Sequence, residues 1–434
     1  MSTLADRIRG IVRPATADPA PTPARPPAPV TGESQIPNPE SPGLTCLNGE
    51  WRDGCFVVER RWNPDVGHGR DAIGTYAECM DEGAVDAPLF ADAARAPFVF
   101  FDLETTGLSG GAGTLAFLVG CGTFLADGGF ETTQYVLTTY GGERRMLEAV
   151  HGRLTQGTMV SFNGKSFDAP LLESRFAFHR LARSVAGQPH LDALHPARQF
   201  WPSGGRAFQA SGASDCSLTS LERRLLGVRR KGDVDGFEVP ARYFQFLRTG
   251  DARPLEAVLE HNRQDLLTLA ALTARLLRLA RLGADGARTT REAIALGRIY
   301  VRAGDDGRAR AAFERAIDVA AARDDQSAMV DALRGLAGTL RRARAFEEAA
   351  VCWCRLVDMA DCPAGIAREA AEALAIHHEH RVRDLAAAKT FALRSLERGA
   401  AAPGIENAQR TPRWAEGVRY RVARIERKLS GRLL

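Results

Sequence analysis

Residues 98–120, FVFFDLETTGLSGGAGTLAFLVG, carry an apolar run into two acids, Asp102 and Glu104, and then into a glycine-rich loop. The run reads as a buried strand, and the alternation of side chains along a strand puts both acids on one face. A carboxylate at the end of a buried strand is costly unless something compensates its charge. The chain must therefore fold so that a partner, such as a metal ion, can reach that end of the strand.

The neighbouring segments supply a sheet for it. GTLAFLVGCGTF and FETTQYVL read as a second and third strand, joined by loops short enough for antiparallel neighbours. GGERRMLEAVHGRL has helical spacing, TMVSFNG is strand-like, and DAPLLESRFAFHRLA begins a helix near Asp168. RPLEAVLEHNRQDLLTLAALTARLLRLARL keeps helical spacing from Pro254 to Leu282, with a break near the histidine left open. An antiparallel meander continued by α/β units predicts a mixed sheet flanked by helices.

Four regions follow from the composition. Residues 14–43 hold ten of the 22 prolines, so 1–44 is expected to be a disordered Pro/Ala-rich segment. Residues 45–95 read as a small N-terminal subdomain, 96–283 as the α/β domain, and 288–434 as an all-α domain. In the last region LGRIYVRAGDDGRARAAFERAI recurs in pattern as LAGTLRRARAFEEAAVCWCRLV, and ALAIHHEHRVRDLAAAKTFALRSL makes a third copy. Small residues and aromatics recur as in a tetratricopeptide array, at a period of roughly 38–40 residues in place of about 34.

Charge and cysteines narrow the setting. The formal net charge of +4 over 434 residues favours an anionic partner only weakly, and base composition explains the arginine-rich usage as readily. About +7 lies beyond Arg288, most of it from Arg410 to Arg432, where a solvated helical face is as good a reading as phosphate contacts. The eight cysteines form no CxxC pair, and the start of the chain has no apolar core of a signal peptide. Reduced thiols in a cytoplasmic protein are expected. No apolar window approaches the roughly 18 residues of a membrane span, so no membrane partner is expected.

Asp102, Glu104, Asp168 in NGKSFD and Asp265 in HNRQD make a set of four acids. Taken singly each has a bland use: acids close strands at solvated loops, Asp168 reads as a helix N-cap, and Asp265 as a solvated helix position. Together they are what a two-metal phosphodiesterase needs. Hard divalent ions such as Mg2+ or Mn2+ take oxygen ligands, and two of them about 4 Å apart can clamp the attacking and leaving oxygens at phosphorus.

DLETTGL, FNGKSFD and HNRQD, in that order, resemble the three exonuclease motifs of the DEDD superfamily, which has a ribonuclease H-like fold. ETTGLSGGAGT and LERRLLGVRRKGDVDGFEVPARYFQFLRTGD are closer still to its YprB-like branch. The resemblance covers about residues 90–280. It implies a 3′–5′ exonuclease acting on single-stranded DNA or RNA ends, with Asp102, Glu104, Asp168 and Asp265 as ligands of two divalent cations. Superfamily members place a tyrosine four residues before the last aspartate, or a histidine five before it, to orient or deprotonate the attacking water. Here His261 stands four before Asp265; an i, i+4 pair shares a helix face, and an imidazole can serve as general base there. A solvated or core histidine is the competing reading.

The resemblance also nominates substrate contacts. Asn163 fits the second motif and would hold its loop, Lys165 would meet a phosphate or point to solvent, and Thr105, Thr106 and Leu108 would approach the terminal nucleotide or simply form a turn. Asp192 in HLDALHPAR is either a support for the site or structural. GAGTLA satisfies a GxGxxA dinucleotide fingerprint, but that motif must open a helix, and here a strand-like run follows, so no nucleotide cofactor is expected. Two other functions stay open: a non-catalytic nucleic-acid scaffold that recruits a protein partner through the repeats, and a structure-selective endonuclease.

Overall fold

A computed structural model describes residues 42–107, 113–202, 216–230, 232–400 and 413–431. Most of the Pro/Ala-rich segment, Leu108 and Arg410 lie outside the described residues.

Seven strands form one mixed sheet in the order β1 (Glu50–Arg52), β2 (Cys55–Trp62), β7 (Phe130–Val136), β6 (Ala116–Phe124), β5 (Phe98–Thr105), β8 (Thr158–Ser161) and β9 (His190–Asp192). A short hairpin of β3 (Gly67–His68) and β4 (Asp71–Ala72) lies apart from it. The β5–β6–β7 meander is antiparallel, and β8 and β9 add in parallel to β5. This is the expected fold class: a mixed sheet that opens as an antiparallel meander and continues as α/β units, followed by an all-helical region.

The stretch 45–95 does not stand apart as a subdomain. Strand β2 pairs with β7 from Phe56–Val136 to Trp62–Phe130, because its apolar start CFVV is buried with the sheet. Helix α1 (Ile73–Gly83) then packs on α7 (Arg253–Leu282).

Strand β5 separates two cores. Phe98 and Phe100 enter one, and Val99, Phe101 and Leu103 the other. Alternation therefore carries Asp102 and Glu104 on the Phe98/Phe100 face. Helices α2 (Glu143–Leu154) and α3 (Asp168–Phe178) pack with the Val99 side. After α4 (Leu194–Phe200), α5 (Leu218–Leu221) runs into a π-helical turn, Glu222–Leu226, and α6 (Val239–Thr249) leads to α7. Helix α7 is continuous through His261, since no glycine or proline follows Pro254 in its first turn. At about 1.5 Å per residue it spans roughly 45 Å, long enough to serve both the sheet and the C-terminal helices.

Those helices are α8 (Thr290–Ala303), α9 (Asp306–Ala322), α10 (Gln326–Arg342), α11 (Phe346–Asp358), α12 (Ala364–His377), α13 (Leu385–Ala400) and α14 (Arg413–Leu429). Each packs on the next. Glycine in a helix weakens it unless packing demands it. A Cβ at Gly297 or Gly335 would stand 2.7 or 2.3 Å from the Phe313 ring, so these two glycines let α8 and α10 close on one aromatic.

Helix α14 is fastened by a buried acid. Glu379, its side chain fully buried, accepts from Arg421, Arg424 and Lys428 at 2.9, 2.7 and 3.0 Å. Burial alone would raise its pKa, but these cations hold it at about 2, below its unfolded value of about 4.3. The clasp is thus complete above about pH 4 and is lost as pH falls towards 2. Glu379→Gln should cost about 2 kcal/mol at neutral pH and deprotect α14 in hydrogen exchange before the sheet.

Candidate active site

Asp102, Glu104, Asp168 and Asp265 come from β5, the start of α3 and the middle of α7, and lie near enough that Asp102 feels the charge of the other three. Asp102 is forced up in pKa by burial and then by Asp265, Glu104 and Asp168. Burial lifts Glu104 to about 8, with His261 lowering it and Asp265, Asp168 and Asp233 raising it. Burial and Asp192 lift Asp168 to about 7. Among the described residues, no hydrogen bond reaches the Glu104 or Asp168 carboxylate. His261 answers part of the Glu104 charge, and no described lysine or arginine forms an ion pair with Glu104 or Asp168.

One polar contact orients Asp102. Asn262, fully buried on α7, donates from Nδ2 to Asp102 Oδ2 at 2.9 Å. The residues Asp102, Gly120 and Gln134 stand in line across β5, β6 and β7. Gly120 leaves the space for the Asn262 amide: a Cβ there would stand 2.0 Å from Asn262 Oδ1. Gln134 Nε2 donates to that Oδ1 at 2.9 Å, and Arg263 Nη1 donates to Gln134 Oε1 at 2.9 Å. Gly120→Ala should displace the amide, cost about 1–3 kcal/mol in thermal unfolding, and lower activity through the lost Asp102 contact.

The second motif is a loop held by Asp192. Asn163 takes a left-handed φ of 71°, which asparagine tolerates, and its N–H donates to Asp192 Oδ1 at 2.7 Å. The Lys165 and Leu194 N–H groups donate to the same carboxylate at 3.1 Å each. Gly164 is required by close approach, since a Cβ would stand 2.4 Å from Ser161 Oγ and 2.9 Å from Asp168 Oδ2. Asp168 is the first residue of α3 and does not cap it; its carboxylate is left to the acid cluster. Asn163 thus shapes the loop, and the Lys165 side chain is exposed.

Asp265 has cationic company. Arg230 Nη2 donates to Asp265 Oδ1 at 2.5 Å, to Glu222 Oε2 at 2.7 Å, and Nη1 to Asp233 Oδ2 at 3.3 Å. His261 lies one turn before Asp265, its Nε2 3.5 Å from Asp265 Oδ2, while Nδ1–H donates to Asp233 Oδ1 at 2.6 Å. Burial pulls the imidazole down, but Asp265, Asp233 and Glu104 outweigh it and hold the pKa above the ordinary value. Asp265 is raised by burial and lowered by Arg230 and His261, with a net rise. Glu222, buried in the π-helical turn, also accepts from Thr268 Oγ1 at 2.5 Å.

Thr105 and Thr106 hold the turn that follows β5. Thr105 Oγ1 donates to the Gly107 carbonyl at 2.9 Å, and Thr106 Oγ1 accepts from the Leu115 N–H at 3.0 Å. Ala116 opens strand β6, in keeping with the rejection of a dinucleotide fingerprint there. Asn262, Gly120 and Gln134, and the Arg230–Asp233 pair, adjoin the candidate residues and lie outside the quoted acids. Asn262 lay inside HNRQD, and Asp233 inside KGDVDGF, each an available signal.

Among the described residues no three His, Cys, Asp or Glu side chains converge closely enough to hold a metal ion as they stand. The donor chemistry fits a hard divalent cation nonetheless. Asp102, Glu104 and Asp168 offer only oxygen and are half-buried; loss of water is the first cause of each raised pKa, to which Glu104 and Asp168 add at Asp102, Asp168 at Glu104, and Asp192 at Asp168.

Residues 99–277 match the RNase_H_2 family model, of the RNase_H superfamily. The chain is also 29% identical over 335 residues to the uncharacterized protein YprB of Bacillus subtilis (strain 168), covering 76% of this chain and 75% of that protein. The sheet is thus that of a ribonuclease H-like domain, a superfamily that points to an enzyme hydrolysing nucleic acid. Among the described residues no helix is long and apolar enough to cross a membrane.

Proposed function

We propose that the protein is a metal-dependent nuclease, a 3′–5′ exonuclease on single-stranded DNA or RNA ends, acting in the cytoplasm. The observation that carries this reading is the cluster of half-buried carboxylates, Asp102, Glu104 and Asp168, whose pKa values are raised and none of which forms an ion pair with a described lysine or arginine. With Asp265 they would hold two Mg2+ or Mn2+ ions. When bound, such ions supply charge stabilisation at the attacking and leaving oxygens of the phosphodiester.

The chain's own groups then divide the work. Asn262 keeps one oxygen of Asp102 fixed, and Gly120 gives Asn262 room to do so. Asp233 holds Nδ1–H of His261, which fixes the tautomer and leaves Nε2 to face the acids. In its neutral form Nε2 can take the proton of an attacking water. Asp265, Asp233 and Glu104 hold the His261 pKa above its ordinary value, so answering their charge would favour its neutral form. Asn163, Thr105 and Thr106 shape the loops beside the acids, Lys165 is exposed there, and these residues, with Leu108, would approach the terminal nucleotide. The paired C-terminal helices are read as tetratricopeptide-like repeats with a face for a protein partner.

The Arg230–Asp265 ion pair favours a second reading, since a non-catalytic nucleic-acid platform would neutralise its last acid in this way. One assay separates them: purified protein with Mg2+ or Mn2+ on end-labelled single-stranded DNA and RNA. A ladder of mononucleotides is expected. Internal cuts would favour an endonuclease, and strand binding without cleavage on any substrate would favour the platform.

A further inference from the structure

A cavity of about 320 Å³ lies at the junction of the sheet domain and the C-terminal helices, between α1, the end of the π-helical turn and the second half of α7. Its volume is at the lower end of the roughly 300–1,000 Å³ of ligand pockets. Arg70, Arg275, Arg278 and Arg288 line it, with Asp71 and Asp285 as its acids, so cations are in excess. Arg70, Arg278 and Arg288 form no ion pair with any described carboxylate. Arg275 reaches Glu292 at 3.4 Å and stacks near Trp201, but its buried Nε has no hydrogen-bond partner. The apolar part of its lining includes Tyr76, Leu226 and Leu279, each largely buried.

Arg278 donates from Nη1 to Cys79 Sγ at 4.0 Å, a weak partner. A surface that sets guanidinium donors without a carboxylate partner beside aromatic and aliphatic side chains suits a ligand with a flat apolar face and a phosphate. Guanidinium forks match phosphate oxygens in pairs, and the two aspartates can accept from a sugar hydroxyl or a base amine. We propose that this cavity is a nucleoside-phosphate site, seating one nucleotide with its base against Tyr76 and Leu279 and its phosphate on Arg278 and Arg288. The nucleotide is either free in solution or one unit of a bound strand. Arg278 shares α7 with Asp265, roughly 20 Å along the axis at about 1.5 Å per residue, so the site is separate from the acid cluster. The choice of a nucleic-acid ligand rests on the nuclease reading; the cavity and its arginines do not.

The test is calorimetric binding of a nucleoside monophosphate and of a single-stranded oligonucleotide to the full chain in chelator, where divalent ions cannot contribute. Wild type and Asp102→Asn should bind alike, and Arg278→Ala/Arg288→Ala should bind at least tenfold more weakly, with an unchanged melting curve. Arg278→Gln alone serves if the double variant does not fold. Arginine-dependent binding of the monophosphate identifies the free nucleotide as a ligand; such binding by the strand alone identifies a strand unit. The proposal is overturned if neither ligand binds, if the arginine variants bind unchanged, or if a polyglutamate peptide binds as tightly. Absent hydrolysis with retained arginine-dependent binding would contradict the nuclease reading and leave this site standing.

Discussion

Asp102→Asn should lower metal-dependent hydrolysis on the order of a thousandfold or more while the protein stays folded. The residue sits between the other acids, and its charge is what a divalent ion would answer. Several kcal/mol of transition-state stabilisation pass through such ions, and each 1.36 kcal/mol or so is tenfold in rate. The substitution keeps the shape and leaves the Asn262 amide a partner after a flip, so folding is spared. It also removes a buried charge repelled by Asp265, Glu104 and Asp168, so the ion-free variant should melt higher than wild type at pH 8. Single-turnover cleavage and thermal unfolding on the same preparations check both halves. Retained cleavage would remove Asp102 from the chemistry.

The second large effect is a loss of stability as pH rises in the absence of divalent ions. Folded Glu104 titrates at about 8 and Asp168 at about 7, against roughly 4.3 and 3.9 in an unfolded chain. Both values are raised, so their contribution is complete below about pH 4 and is lost as pH climbs through 7 and 8. The two shifts together are worth on the order of several kcal/mol, less than their sum because the acids titrate as a coupled set. Melting temperature should therefore fall from pH 5 to pH 8 in chelator. Added Mg2+ or Mn2+ should flatten the slope, because ions that bind only the folded form stabilise it by mass action. A pH-independent melting curve in chelator would mean that the acids are not buried together.

Much of this arrangement was legible in the chain, and the rest was not for identifiable reasons. Strands β5, β6 and β7 announce themselves as apolar runs with short loops, and period two alone puts Asp102 and Glu104 on one face. Strand β2 pairs with β7, which lies far along the chain, and nothing local in residues 45–95 says that they extend the main sheet. The order of the acids in DLETTGL, FNGKSFD and HNRQD points to a common site, and Asp102 feels the charge of Glu104, Asp168 and Asp265. Asn262 was hidden because its worth depends on Gly120 and Gln134, two residues on strands far from it in sequence. Arg230 and Asp233 lie between α5 and α6 in a segment without periodicity, so only their pairing with Asp265 and His261 reveals them. The unbroken course of α7 through His261 settles the shared face that spacing suggested, with Nε2 on Asp265 and Nδ1 on Asp233.

Whether the four acids bind divalent ions is tested most directly by Mn2+ titration of the metal-free chain, followed by calorimetry. Two Mn2+ per chain are expected for wild type, with loss of at least one site in Asp102→Asn and in Asp168→Asn. No Mn2+ binding by wild type, or binding that survives both substitutions unchanged, would contradict ion binding by these acids.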